Sequence, residues 1–190
     1  MKCLSIRQPW ATLIVGRPHD PIMDGNCSPP RIGPKDVENR HWCTSHRGAI
    51  AIHASKTIEM DELCLLEENA LAAPGEDYIP PTGAIIGVAR ITNCSRKCQS
   101  DWHGRGSYGL YLDRRLPLRH PIVYKGQLKL FDLPPEIVDG ILTLLPLRIC
   151  QICGCSHHDP CIARNGNTCG WADEHLCTFC AARALERRPS

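Results

Sequence analysis

The sequence predicts an α+β protein: a small, mostly antiparallel β domain with flanking helices, then a cysteine-rich, metal-type module. Three observations carry that reading. Apolar runs bounded by turn residues recur at "AIAIHA", "TGAIIGVARITNC", "GSYGLYL" and "IVYKGQLKLFDL". The segment "TIEMDELCLLEENALAA" spaces its apolar residues for a single helical face. Seven of the thirteen cysteines fall in the last 41 residues, four of them as two CxxC pairs. With 190 residues, 43% hydrophobic, the chain can bury one core and one small extra module.

The elements follow in chain order. "CLSI" reads as a short strand leading into "RQPWATLIVG", where Pro9 suits a first helical turn. Trp10, Leu13 and Ile14 share a face of that helix, and Gly16 can close it. "RPHDPIMDGNCSPPRIGP" is dense in Pro, Gly, Asp and Asn, which predicts a long loop; loops beyond ~12–15 residues are usually functional or disordered. Ala49–Ala54 is a buried strand, and a helix is predicted over Thr57–Ala73 with Thr57 or Asp61 near its start. Strands follow at 82–94, 106–112 and 122–133, the last with Gly126 as a bend. "PPEIVDGILTLL" then gives a short amphipathic helix leading to Cys150.

Composition narrows the function classes. A formal net charge of +2 provides no global field to hold a long polyanion, so any nucleic-acid site must be local. The positive excess sits in residues 1–60, with eight Lys/Arg against five Asp/Glu. No run approaches the ~18 apolar residues of a membrane span. Arg7, Gln8 and Pro9 interrupt what would be a signal's apolar core, so no export signal is expected. An odd cysteine count with CxxC spacing fits metal ligation in a reducing cytoplasm better than a secreted disulfide framework.

In the tail, "CQICGCSHHDPCIARNGNTCGWADEHLCTFC", the knuckles Cys150/Cys153 and Cys177/Cys180 are predicted to bind Zn2+ tetrahedrally. The segment has too few apolar residues for a core, so metal would supply much of its folding energy. Four thiolates leave zinc no open position, which makes the role structural. Cys155, Cys161 and Cys169 are either further ligands, with His157, His158 or Asp159, or buried small side chains.

The segment "GPKDVENRHWCTSHRGAIAIHASK" gathers the polar chemistry. Alternation along a strand puts Asp36, Glu38 and Arg40 on one face and Val37 and Asn39 on the other, with Lys35 in the preceding turn and able to swing toward Glu38. His53 and Ser55 share a face of the next strand. Lys, Glu, Arg and His heads can thus line one wall, with Trp10, Trp42 and Tyr108 as stacking surfaces, which is what an unstacked base requires. Bland readings stand beside these. Lys35, Glu38 and Arg40 also suit a surface ion-pair cluster. Arg7 and Gln8 suit a helix cap, Trp10 the core, and His53 a satisfied buried histidine. Cys43 with His46 lacks an oxyanion partner, so no thiol nucleophile is read there. "RKCQSDWHGR" has the mix of a binding loop and equally that of a solvated connection.

Residues 2–134 resemble an ASCH domain, a PUA-like β-barrel family. The likeness rests on "LSIRQPWATLIV", on the GxKxxExR pattern at Gly33, Lys35, Glu38 and Arg40, and on "YGLYLDRRLPLRHPIVYKGQLKLFDLP". It implies a small barrel over residues 1–134, from which the loop at 17–32 departs as an insertion; the residue patterns add a connecting helix at 135–149 and a zinc module at 150–190. It also implies a cleft for RNA or a modified nucleoside, with Arg7, Gln8, Lys35, Glu38, Asn39, Arg40, Trp42, His53 and Ser55 as ligand-binding residues. One bacterial branch similar to this family hydrolyses the amide of acetylated cytidine with a lysine, a threonine three residues on and a distal glutamate. Here the lysine matches Lys35 and the threonine position is Glu38, so the alternative is an amidohydrolase on an acylated nucleobase such as N4-acetylcytidine, with Lys35 and Glu38 catalytic. The cysteine tail is similar to ends found on phage and prophage proteins, which implies such an origin. A protein partner would use the zinc module.

Overall fold

The computed structural model of the chain describes residues 1–17, 33–72, 75, 77–145, 149–156, 160–162, 167–173 and 175–186. The expected inserted loop, apart from Arg17, lies outside the described residues, as do His157, His158 and Asp159. Six strands, β1 (Lys2–Gln8), β2 (Val37–Arg40), β3 (Gly48–Ile58), β4 (Ala84–Ser95), β5 (Tyr108–Val123) and β6 (Leu130–Asp132), form one sheet in the order β2-β5-β4-β3-β1-β6. Only β1 and β3 run parallel. A parallel neighbour needs a crossover, which the chain supplies through α1 (Trp10–Val15) and the motif strand β2.

The alternation of strand side chains sorts the core onto two faces. Leu4, Ile6, Ile50, Ile52 and Leu110 pack with Ile14 and Val15 of α1. On the opposite face Cys3, Ala51, Ile85, Val88 and Leu118 pack under Val138 and Ile141 of α3 (Pro135–Leu144). Each fully buried Leu or Ile contributes about 1.5–3 kcal/mol relative to an exposed one, so this two-sided core is what fixes the sheet.

The sheet differs from the expected barrel in one respect: it is open. Its order runs from β2 to β6 without returning, and these edge strands are only four and three residues long, too short to complete a ladder between them. A side chain spans part of the gap instead. Arg40 of β2 donates from a terminal guanidinium nitrogen to the carbonyl of Ser5 in β1 at 2.6 Å, four strands away in the sheet order.

Two segments depart from the sequence reading. The helix predicted over Thr57–Ala73 is shorter, because β3 continues to Ile58, where it pairs with Gln8, and Glu59 donates its N–H to the Gln8 carbonyl. A 3-10 turn (Met60–Glu62) and α2 (Cys64–Glu68) follow. The β-branched Thr57 and Ile58 gain a partner strand there that a helix would forfeit. β5 runs through Pro117 and Pro121 as one sixteen-residue strand, with irregular register against β4 that accommodates the missing N–H groups.

The cysteine-rich end docks on the start of β3. Ala49 lies one residue before the β1 register begins at Lys2 and Ile50, and its N–H goes to the carbonyl of Ile152. A Cβ on Gly48, which sits at φ 128°, would fall 2.4 Å from that carbonyl oxygen, so only glycine allows the approach.

Candidate functional site

The wall of the site begins with a glycine. A Cβ on Gly33 would lie 2.0 Å from the carbonyl oxygen of Leu13, near the C-terminal end of α1. The close passage lets Lys35 donate its backbone N–H to that same carbonyl at 2.9 Å, satisfying a helix-end acceptor. Arg115 grips the segment from the other side, donating to the carbonyls of Gly33 and Lys35 at 2.8 Å each. These contacts aim Lys35 inward from the turn.

Lys35 and Glu38 are buried at 3% and 7% exposure, unusual for charged residues. Lys35 Nζ lies 3.4 Å from Glu38 Oε2 and also donates to the Val37 carbonyl; Glu38 Oε1 lies 3.1 Å from an Arg40 terminal nitrogen. One carboxylate therefore sits between two cations. Burial pushes the Lys35 ammonium below its ordinary value, while Glu38 and Asp36 pull it back up. The Lys35 ammonium also lies 5.9 Å from the centre of the Trp10 ring.

These groups form the floor of an open cleft of about 790 Å3. Trp10, Trp42 and Trp102, three of the four tryptophans, line it together with Arg7, His41, Ser55, Asp101, His103 and Lys129. Ser5 Oγ, Arg40 Nε and His53 Nδ1 are buried and find no partner among the described residues. Ser5 Oγ and His53 Nδ1 lie within 2.8 Å of the point where Gly126 would carry a Cβ, so glycine there is what keeps the 124–129 loop against them.

Most residues singled out in the sequence meet here. Arg7, Lys35, Glu38, Asn39, Arg40, Trp42 and Ser55 all line the cleft. Arg7 also pairs with Glu59 at the rim. Asn39 is turned to the 100–107 loop, donating to the Trp102 carbonyl at 2.8 Å and accepting the Gly104 N–H at 2.9 Å, so it holds Trp102 in place. Gln8 stands outside the lining, fully buried: its Oε1 accepts the Thr12 N–H and its Nε2 donates to Pro81. His53 also lies behind the wall, with Nε2 at 3.0 Å from the Tyr124 carbonyl and its imidazolium disfavoured by burial. Tyr108 is not among the lining residues; Arg96 stacks on it instead. The sequence reading passed over Ser5, Gln127 and Lys129, and the Trp102–His103 pair showed only as a mixed polar and aromatic loop.

The second concentration of chemistry is the cysteine cluster. A backbone knuckle forms where Gly154, at φ 72°, donates to the Cys150 carbonyl at 2.8 Å and Cys150 donates to that of Cys155 at 2.8 Å. Cys177 precedes α4 (Thr178–Glu186) and Cys180 lies in its first turn, where the helix N-terminus favours thiolate. The sulfurs of Cys150, Cys153, Cys177 and Cys180 all lie within 4.8 Å of one another, as a metal ion requires. Every described cysteine is a free thiol. The Cys150 thiol is pulled down to about 4 by the Cys153 thiol and nearby N–H groups, while burial pushes that of Cys180 up to about 12. Packed thiols resist ionising together, and a dication is what lets them do so. The four-thiol set therefore fits a metal.

Fold and site together define an α+β protein with a tryptophan-lined cleft over a buried Lys–Glu–Arg cluster and a thiol cluster able to hold metal. No family model matches the chain. Two curated relatives, both named activating signal cointegrator 1, from Homo sapiens and Mus musculus, are each 32% identical to it over 97 residues. That stretch is 48% of this chain and 14% of each relative, so the chain spans about a seventh of their length. The likeness lends the ASCH resemblance loose, partial support.

Proposed function

We propose that the chain is a nucleic-acid-binding protein of the ASCH type whose cleft takes an unstacked base of single-stranded RNA or a modified nucleoside. The buried Lys35–Glu38 pair with half-buried Arg40 beside it, in a cleft lined by three tryptophans, carries this reading. A surface ion pair contributes little and needs no burial, whereas this one is desolvated in the cleft wall, with Ser5 Oγ and Arg40 Nε beside it buried and without partners among the described residues. Tryptophan stacks the base, Glu38 accepts from its edge, and Lys35 and Arg40 meet carbonyl or phosphate oxygens. The metal, Zn2+ on the thiolate set, is structural in this reading, and the free thiols suit a reducing cytoplasm.

Fluorescence anisotropy of the metal-loaded chain against labelled single-stranded RNA, single-stranded DNA and duplex tests it. Wild type should favour single strands, and Lys35→Met should bind more weakly, with a salt slope reduced by about 1 if Lys35 meets phosphate. Unchanged affinity and slope in Lys35→Met would remove Lys35 from the site.

A second reading has one observation in its favour: Lys35 Nζ lies 3.4 Å from the Glu38 carboxylate in the lining of the cleft. In it the chain hydrolyses the amide of an acylated nucleobase such as N4-acetylcytidine. Glu38 takes the proton of the water that adds to the acyl carbon, and Lys35 steadies the oxyanion. The proton then passes from Glu38 to the exocyclic nitrogen as the C–N bond breaks, releasing the free nucleobase and the carboxylic acid. Turnover abolished in Glu38→Gln supports it, and absence of turnover across a panel of acylated nucleosides excludes it.

A further inference from the structure

We infer that the cysteine module holds two divalent metal ions in one cluster, with Cys153 and Cys177 as thiolates bridging them. Two sets of four sulfurs meet the distance requirement: Cys150, Cys153, Cys177 and Cys180, and Cys153, Cys155, Cys161 and Cys177. Within each set every pair lies within 4.8 Å, and the sets share two members. A tetrahedral ion takes four thiolates. Two independent four-thiolate sites would need about eight sulfurs, and the module has seven cysteines. Sharing resolves the shortage. Cys150 and Cys180 complete one ion, Cys155 and Cys161 the other, and Cys153 and Cys177 belong to both.

The distances agree. A metal–sulfur bond of about 2.3 Å sets the edge of a thiolate tetrahedron near 3.8 Å. Cys153 and Cys177, the shared edge, are 3.8 Å apart, and Cys153 lies 3.5 Å from Cys161. Cys169 falls outside both sets: its sulfur is 3.7 Å from that of Cys155 and accepts the Cys161 N–H at 3.2 Å, which positions those two ligands. Two dications with six thiolates carry a net charge of about −2 and release about six thiol protons on assembly. Arg47 and Arg183 line the cleft that borders Cys153 and Cys180 and place positive charge beside the cluster, whereas Arg90 in the same cleft is paired with Asp113.

The test uses the full chain purified with its metal. Native mass spectrometry should find two zinc ions per chain. After exchange into 113Cd, NMR should show two cadmium resonances coupled to each other through the shared sulfurs. Cys161→Ser should fall to one ion per chain, whereas Cys169→Ser should keep two. Saturation at one ion, two resonances with no mutual coupling, or iron with acid-labile sulfide in the purified chain would each overturn the proposal. The wild-type measurements decide it even if a variant fails to fold.

Discussion

The sheet and the cysteine module solve the same problem with different chemistry. In the sheet the fully buried positions include Leu4, Ile50, Ile52, Ile85 and Leu110, with Ile14 of α1 packed against that core. Their burial is favourable wherever water is the solvent and needs no ligand. In the module the deepest side chains are Cys150, Cys155, Cys177 and Cys180. Thiols release far less apolar surface than Leu and Ile, so a metal held by them would supply much of the module's folding energy. The seam where Ala49 meets Ile152 joins a sheet held by apolar burial to a module built around thiols. The cleft with its buried charges lies in the half held by apolar burial.

Removing the metal should break the comparison most sharply. Structural zinc supplies apparent free energies of about 10–16 kcal/mol at neutral pH in small zinc modules. A chelator should therefore unfold residues 150–186 while the sheet persists. Limited proteolysis with mass spectrometry should show cleavage in the module and a protected core ending near Leu145. The reverse lesion is Ile52→Ala. Truncating this buried isoleucine should cost about 2–5 kcal/mol, lowering the urea midpoint of the sheet by tryptophan fluorescence while leaving metal content per chain unchanged.

A subtler difference appears with pH. Burial lowers the Lys35 ammonium from its ordinary 10.5, with Glu38 opposing. The folded chain thus releases this proton at lower pH than the unfolded chain. Between the lowered folded value and 10.5 the unfolded state binds more protons, so stability rises with pH across that window. Lys35→Met should flatten that rise in urea midpoints taken from neutral pH to 10.5, and an identical rise would contradict the account. The smallest effect belongs to Arg7→Ala. The Arg7–Glu59 pair is largely exposed, so thermal stability should change by no more than about 1 kcal/mol.

Local signals made part of this legible. Pro9 and Gly16 bracket α1, the apolar runs mark β3 and β4, and paired knuckles announce the thiol cluster. What failed was nonlocal. Ile58, Leu63 and Leu66 fit a helix period, and only the pairing of Ile58 with Gln8 in β1 shows that the strand runs on. The sequence reading ends one strand at Leu112 and begins the next at Ile122, and the register shifts that let β5 run on through Pro117 and Pro121 show only in its pairing with β4. Closure of the barrel depended on edge strands whose shortness no pattern revealed. In the site, Lys35, Glu38 and Arg40 were visible through the GxKxxExR pattern, but Ser5 and Lys129, far apart in sequence, reach the cleft side by side only because β1 pairs with β6. The overlap of the two thiol sets is likewise a distance, and sequence spacing carries no trace of it.

The most direct test sets the two regions against each other through their tryptophans. Affinity for single-stranded RNA should be measured for wild type, Trp102→Ala in the cleft and Trp171→Phe in the module. Loss of one base–aromatic stack costs about 1–3 kcal/mol, or about 5- to 150-fold in Kd. The account predicts that loss in Trp102→Ala and wild-type affinity in Trp171→Phe. Unchanged binding in Trp102→Ala, with the loss confined to Trp171→Phe, would contradict it and move the nucleic-acid site to the metal module.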